Sequence, residues 1–241
     1  MEQPPHRPSP DAADADVPEP SWWTSEKRRS ARSGLSREAI VDAALTVLDR
    51  HGLDGLSMRR VAEELDTGPA SLYWHVADKD QLLNVVLDRV IGTIPLPEPD
   101  PDRWQEQLRE FAHAGRAVFQ EHRDIARATM GRVPMGPSLL RTVEWQLDLL
   151  QGAGIPARPA AWFGDLFALY IAAHAIEDTI ASGADEHETA EAMGAYMASI
   201  PPERFPRLMA ASSELMAGGA DERFDFGLEL LLRGLAALAD Q

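Results

Sequence analysis

No cysteine occurs among the 241 residues, so disulfides and thiolate metal sites are excluded, and the chain suits a reducing cytoplasm. Long apolar runs are missing too. None approaches the roughly 18–20 residues that cross a bilayer, and no membrane association is expected. The opening residues are polar and rich in Pro and Asp, without the apolar core of a secretory leader. Strand-like alternation is absent, as are internal repeats. So are a nucleophile elbow, a phosphate loop and a zinc motif. His174-x-x-Glu177 has the spacing of a di-iron helix, with His113 and His122 also available. Such a centre needs a second Glu-x-x-His motif and further glutamates on facing helices, and that set is missing. Neither a catalytic site, a metal nor a cofactor is expected.

What is present describes a globular protein with ample material for a core, at 44% hydrophobic and 26% charged residues. The net charge of −16 looks wrong for a nucleic-acid binder until it is divided along the chain. Residues 1–21 carry one basic and five acidic residues, and residues 22–92 carry ten and eleven. The remaining 12 basic and 23 acidic residues make the C-terminal part strongly acidic. Lys27, Arg28, Arg29, Arg32 and Arg37 against Glu26 form a local basic stretch. This distribution lets a DNA-facing end coexist with an acidic body.

Residues 1–33 read as a disordered N-terminal extension, with six prolines and a basic arm. The arm is either a solvated tail or a segment that follows phosphates. From Ser36, a candidate N-cap, Ile40, Ala43, Ala44, Val47 and Leu48 recur at helical spacing as far as Gly52, read as the stop. A short helix after Ser57 buries Val61, Ala62 and Leu65 and breaks at Asp66-Thr67-Gly68. Pro69 fits the first turn of a third helix running to about His75, and Asp78 caps a fourth. The Pro95–Pro101 cluster separates a domain at 34–92 from a larger one at 93–241. Helical segments follow at about 103–121, 123–131, 137–152, 157–182, 186–199 and 222–239. The fold class is all-α.

Two short helices joined by a three-residue turn have the architecture of a helix-turn-helix. The second must enter a major groove about 12 Å wide, and it presents Pro69, Ala70, Ser71, Tyr73, Trp74 and His75 while Leu72 points to the core. A helical hairpin in any all-α protein looks similar, so periodicity alone leaves DNA binding open.

The run Gly55-Leu56-Ser57-Met58-Arg59-Arg60-Val61-Ala62-Glu63-Glu64-Leu65, then Ser71-Leu72-Tyr73-Trp74-His75-Val76 and Lys79, closely resembles the tetracycline-repressor family. Leu-Tyr-Trp-His-Val matches the tetracycline repressor branch in particular. So do His122-Arg123-Asp124, Glu144-Trp145-Gln146-Leu147, Ile176-Glu177-Asp178 and Phe226-Gly227-Leu228-Glu229-Leu230. The resemblance spans most of residues 36–239. It implies a transcription repressor acting as a homodimer on a palindromic double-stranded operator, with activation by ligand as an alternative. Arg59 matches the family's guanine-reaching arginine, with a phosphate or surface arginine as the alternative. Pro69, Ala70 and Ser71 stand where small side chains touch base edges. Tyr73, His75 and Lys79 match backbone-clamping positions. Trp74 matches a position that both contacts DNA and packs. The branch has Gln-Pro-Thr where this chain has Pro69-Ala70-Ser71, which removes an adenine reader, so the operator is expected to differ.

The resemblance also implies a small-molecule effector held in the C-terminal domain. Gln146 and Glu177 keep residues matching inducer or metal-water contacts, and Pro134 is retained. The metal-ligating histidine aligns with Thr129, a ring-gripping asparagine with Phe111 and a phenylalanine with Gly115, so a magnesium–tetracycline chelate is not the expected cargo. Gly115, Ala161, Gly164, Ala168 and Ala172 leave room, Phe111, Trp145 and Leu149 add apolar surface, and Thr129, Arg132, Gln146, Asp165 and His174 offer polar groups. His174 is alternatively a packed core histidine. A bulky, partly apolar aromatic or polyketide-like effector is expected. The resemblance assigns the dimer interface to about 157–182 and 222–239, where Leu228, Leu231, Leu232, Leu235 and Leu238 form an apolar stripe suited to self-association.

Overall fold

In a computed structural model of the chain, residues 35–132, 135–183 and 186–239 are described, and they form only helices and connecting turns. The proline-rich extension with its basic arm, and Pro134, lie outside the described residues. The head is built by α1 (Arg37–Gly55), α2 (Met58–Glu64), α3 (Pro69–Leu72) and α4 (Lys79–Ile91). Three of them start where the sequence supplies a cap. Ser36 accepts from the Ala39 N–H at 3.1 Å, Ser57 from Arg60 at 3.3 Å and Asp78 from Gln81 at 2.8 Å. Gly52 is a kink rather than the stop. Its φ of 70° breaks α1, which resumes for one turn to Gly55.

The body comprises α5 (Trp104–Glu121), α6 (Ile125–Thr129), α7 (Pro137–Gly152), α8 (Ala157–Gly183) and α12 (Ala220–Ala236). Between the last two lie α9 (Glu186–Ala198), α10 (Pro206–Ala210) and α11 (Ser212–Met216). The two short helices after Pro206 escape a periodicity reading because one turn shows no repeat. Helix α8 is the hub, packed against α5, α6, α7 and α12. Helix α4 packs against α1 on one side and α5, α6 and α7 on the other. This accounts for its nearly continuous burial from Leu82 to Ile91.

Three of the five leucines in the stripe expected to serve self-association face inward, while Leu231 is half-buried and Leu238 exposed. Leu228, Leu232 and Leu235 are buried in the protomer's own core with Phe224. The opposite face of α12 is the unpartnered one, with Phe226 at 68% exposure and Leu230 at 57%. Both faces of this helix carry apolar side chains, so composition could not say which one the protomer uses itself.

A buried cation ties the body together. Arg116 on α5 makes two hydrogen bonds to Asp178 on α8, at 2.6 and 2.8 Å, and one to Asp221 on α12 at 2.9 Å. Its guanidinium also lies 4.7 Å over the Phe224 ring. Asp221 is open to solvent, so the contact with Asp178 dominates. The Arg116 hydrogen bonds hold the Asp178 carboxyl below its usual range, against the opposing effect of burial. A depressed pKa in the folded state means stability that is present at neutral pH and lost as pH falls through the carboxylate range. Arg116→Met is expected to cost about 3 kcal/mol near neutral pH, because it strands a largely buried carboxylate. The cost should shrink as pH falls through the depressed range of Asp178, where the carboxyl becomes neutral in the wild-type fold as well. Urea unfolding at neutral pH and within that range checks this, and a penalty that does not change with pH would refute it.

Candidate functional site

Two places collect the residues singled out by the sequence. The first is the outer face of the head. Gly68 caps α3 with Pro69 at its first position, leaving Pro69 and Ala70 exposed and Leu72 in the core. Beyond Leu72 the chain turns, and Tyr73 and Trp74 stand 56% and 64% exposed. Two large aromatic side chains this exposed suit a surface that meets a partner. Arg59 projects from α2 and pairs with Glu63 one turn on, at 2.8 Å in open solvent. Such a pair is readily exchanged for a phosphate or base edge. Ser71 accepts from the Thr67 hydroxyl at 3.2 Å, which holds the turn before α3.

Two clamping positions sit differently from expectation. His75 is only 8% exposed, because the turn after Leu72 carries it inward and leads Val76 into the core. Its ring therefore lies in the fold rather than on the outer face. Lys79 donates from Nζ to the Leu53 carbonyl at 3.0 Å, tying the start of α4 to the kinked end of α1. Its partner lies 26 residues away, beyond the reach of local sequence reasoning.

The second place is a cavity of about 380 Å³ between α4, α5, α7 and α8. Phe111, Gly115, Thr129, Arg132, Gln146, Gly164 and Ala168 all line it, together with Ala161, Asp165 and Ala172. The helical spacing of 161, 164, 165, 168 and 172 puts one face of α8 along the wall. Four other candidates do not line it. Trp145 lies behind Phe111, stacked at 5.3 Å, with its indole N–H donating to the Pro97 carbonyl at 2.7 Å. Leu149 is sealed in the core. His174 faces α12, packed on Tyr170 and Phe224 with ring centroids 4.6 and 5.2 Å away. Glu177 points outward, since it falls on the exposed stripe of α8. No cluster of three or more potential metal ligands occurs among the described residues.

Sequence reasoning missed wall residues from the junction of the domains. Ile91 and Ile94 bring the end of α4 to the cavity, and Thr142 and Val143 bring α7. Their signal was plain apolar periodicity, which does not separate wall from core. The walls are largely hydrocarbon, with Phe111, Phe119 and Phe167 among them. Polar capacity is sparse. The Thr129 and Thr142 hydroxyls each donate to a carbonyl of their own helix, at 2.7 and 3.0 Å, and the Gln146 amide has no hydrogen-bond partner among the described residues. An apolar cleft with a few unspent polar groups binds small organic molecules.

A helix-turn-helix head joined through a shared helix to a body with an apolar cavity defines a DNA-binding regulator. Residues 40–86 match the family model of bacterial regulatory proteins of the tetR family, and residues 96–239 match that of the tetracyclin repressor-like C-terminal domain. The chain belongs to the tetR family. It is 34% identical to the tetracycline repressor protein class C of Escherichia coli, over 83% of this chain and 90% of that protein. Among solved structures, apo ActR from Streptomyces coelicolor is similar at 40% identity and a TM-score of 0.79, covering 87% of this chain and 99% of that one. ActR in complex with actinorhodin is similar at 40% identity and a TM-score of 0.79, covering 85% and 97%.

The cavity's openness depends partly on Gly115. A Cβ there would meet Ile171 at 3.5 Å and Ile94 at 3.6 Å, ordinary contact distances. Gly115→Ala is therefore expected to stabilise α5 by about 0.5–1 kcal/mol, the usual gain for removing a mid-helix glycine, while narrowing the cavity. A downward shift of the thermal midpoint would contradict this geometry.

Proposed function

We propose that this chain is a homodimeric repressor that binds a palindromic operator and releases it when a bulky, partly apolar effector fills the cavity. The carrying observation is the shared helix. Helix α4 begins just after the recognition helix and ends, at Ile91, in the cavity wall. An effector that reshapes that wall acts on the element that orients α3. The relation to ActR, solved with actinorhodin, supports the aromatic or polyketide-like cargo expected from the sequence. Magnesium–tetracycline is disfavoured, because the wall offers the Thr129 hydroxyl and no imidazole.

Dimerisation is supported by what the protomer leaves uncovered. Trp162, Leu166, Leu169 and Ile180 on α8 are at least half exposed, as are Phe226 and Leu230 on α12. Two such helices from each copy make a four-helix interface. The α9–α11 region packs little on the body and exposes Tyr196, Phe205, Leu215 and Met216, which a second copy would cover. On the DNA, Arg59 is the base reader, Pro69, Ala70 and Ser71 touch base edges, and Tyr73 and Trp74 fix register. Lys79 supports α4 from within, and His75 supports the turn.

Selection of bound duplexes from a random pool, combined with sedimentation, tests the proposal. A symmetric site with half-sites about 34–36 Å apart is expected, bound by a dimer. Arg59→Ala should cost about 1–3 kcal/mol and relax preference at one position of each half-site. Leu166→Glu combined with Phe226→Glu should yield a folded monomer without operator affinity. A wild-type monomer indifferent to symmetry would overturn the reading.

A further inference from the structure

The cavity wall has two charged side chains, Arg132 and Asp165, and only Arg132 can pair with an anion. Arg132 already has a partner. Its Nη2 lies 2.7 Å from Asp80, in the first turn of α4. One arginine thus lines the cavity and, through its guanidinium, ties to the helix that follows the recognition helix. The polar ties that residues 122–127 make to the head, including His122 with Asp49 at 3.2 Å, have no such double membership. Asp124 accepts from the Leu53 N–H at 2.9 Å, Arg127 meets Asp54 at 3.1 and 3.3 Å, and Asp49 accepts from the Arg123 N–H at 3.0 Å. None of these residues lines the cavity.

We propose that the effector carries an anionic oxygen, a carboxylate or an ionised phenol, which takes Arg132 from Asp80 and so frees the first turn of α4. This rests on the reading of the cavity as an effector site. The exchange is favourable because the two anions differ in surroundings. Asp80 is mostly in water, where an ion pair contributes little. An anion on the ligand meets the same guanidinium against apolar walls, where charge-assisted hydrogen bonds are stronger. A planar guanidinium presents enough donors for a bidentate contact with a carboxylate. The wall near Phe111, Phe119 and Phe167 accommodates the uncharged part of such a molecule. Because Asp80 and the ligand compete for one cation, removing Asp80 must tighten the binding of anions and leave neutral ligands unaffected.

The test uses the full chain and two matched probes, an anthraquinone carboxylic acid and its primary carboxamide, titrated calorimetrically. Wild type should bind the acid at least about tenfold more tightly than the amide. Arg132→Gln should abolish that preference while the amide affinity stays as it was, which also shows the cavity intact. Asp80→Asn should tighten the acid by about three- to tenfold and leave the amide unchanged. Equal binding of acid and amide by wild type overturns the anionic effector but leaves the cavity reading standing. An unchanged acid affinity in Asp80→Asn overturns the exchange. If neither probe binds any of the three proteins, the aromatic-effector reading fails and takes this proposal with it.

Discussion

The architecture depends on one carboxylate placed where few carboxylates are tolerated. Asp88 sits on the buried side of α4, and its Oδ1 accepts from the backbone N–H groups of Ser138 and Leu139, at 3.0 and 3.1 Å. These are orphan donors at the first turn of α7, so the side chain of one helix caps another that begins about fifty residues later. Burial pushes the Asp88 carboxyl upward, and the hydrogen bonds from Leu139 and Ser138 work against that. Gly136 makes the contact possible, since a Cβ there would overlap the carboxylate. Helix α4 is thereby fixed in register to α7, a wall of the cavity.

That register gives the head and the body a common element instead of a linker. Most of α4 is buried because it closes two cores at once, on α1 and on α5 to α7. A packed helix of this kind responds to a change on one side by shifting as a unit, because densely packed interiors do not deform continuously. The polar ties at the rim set the resting position. Gly52 kinks α1 so that the Leu53 N–H reaches Asp124, and Lys79 returns to the Leu53 carbonyl.

Much of this was legible in the residues, and the failures have a common cause. Caps at Ser36 and Asp78 are local events, legible from a hydroxyl or carboxylate before an apolar repeat, and the helix after Ser57 is legible in the same way. The family followed from a contiguous motif, Leu72-Tyr73-Trp74-His75-Val76, which needs no knowledge of packing. What went astray required knowing which side of a helix meets which neighbour. Leu228 and Leu232 look like an interface until Phe224 and α8 are seen to claim them. Trp145 and Gln146 are consecutive on α7, yet one stacks behind Phe111 while the other reaches the cavity. A rotation of 100° per residue separates them, and alignment to a relative does not report it reliably. Arg132 is legible in the sequence as one of several orienting polar groups, whereas its link to Asp80 spans 52 positions and appears only in the fold.

The placement of small residues explains how such a scaffold changes cargo without changing mechanism. Gly115, Gly164, Ala161, Ala168 and Ala172 line the cavity on α5 and α8, which also carry Arg116 and Asp178, the ion pair that holds these helices together. Stability is thus invested on one side of each helix and free volume on another. Substitutions along the wall alter which molecule fits, and the buried pair keeps the helices in place while they do. Coupling between effector and DNA need only reach about 1–3 kcal/mol, the scale of a few rim contacts rather than of a core. The polar ties between α6 and the head are of that scale, being mostly half exposed, and they stand beside the cavity rather than inside the hydrophobic packing. On the proposed mechanism such a regulator responds to its ligand without risking its fold, because the contacts proposed to switch and the contacts that stabilise are made by different atoms.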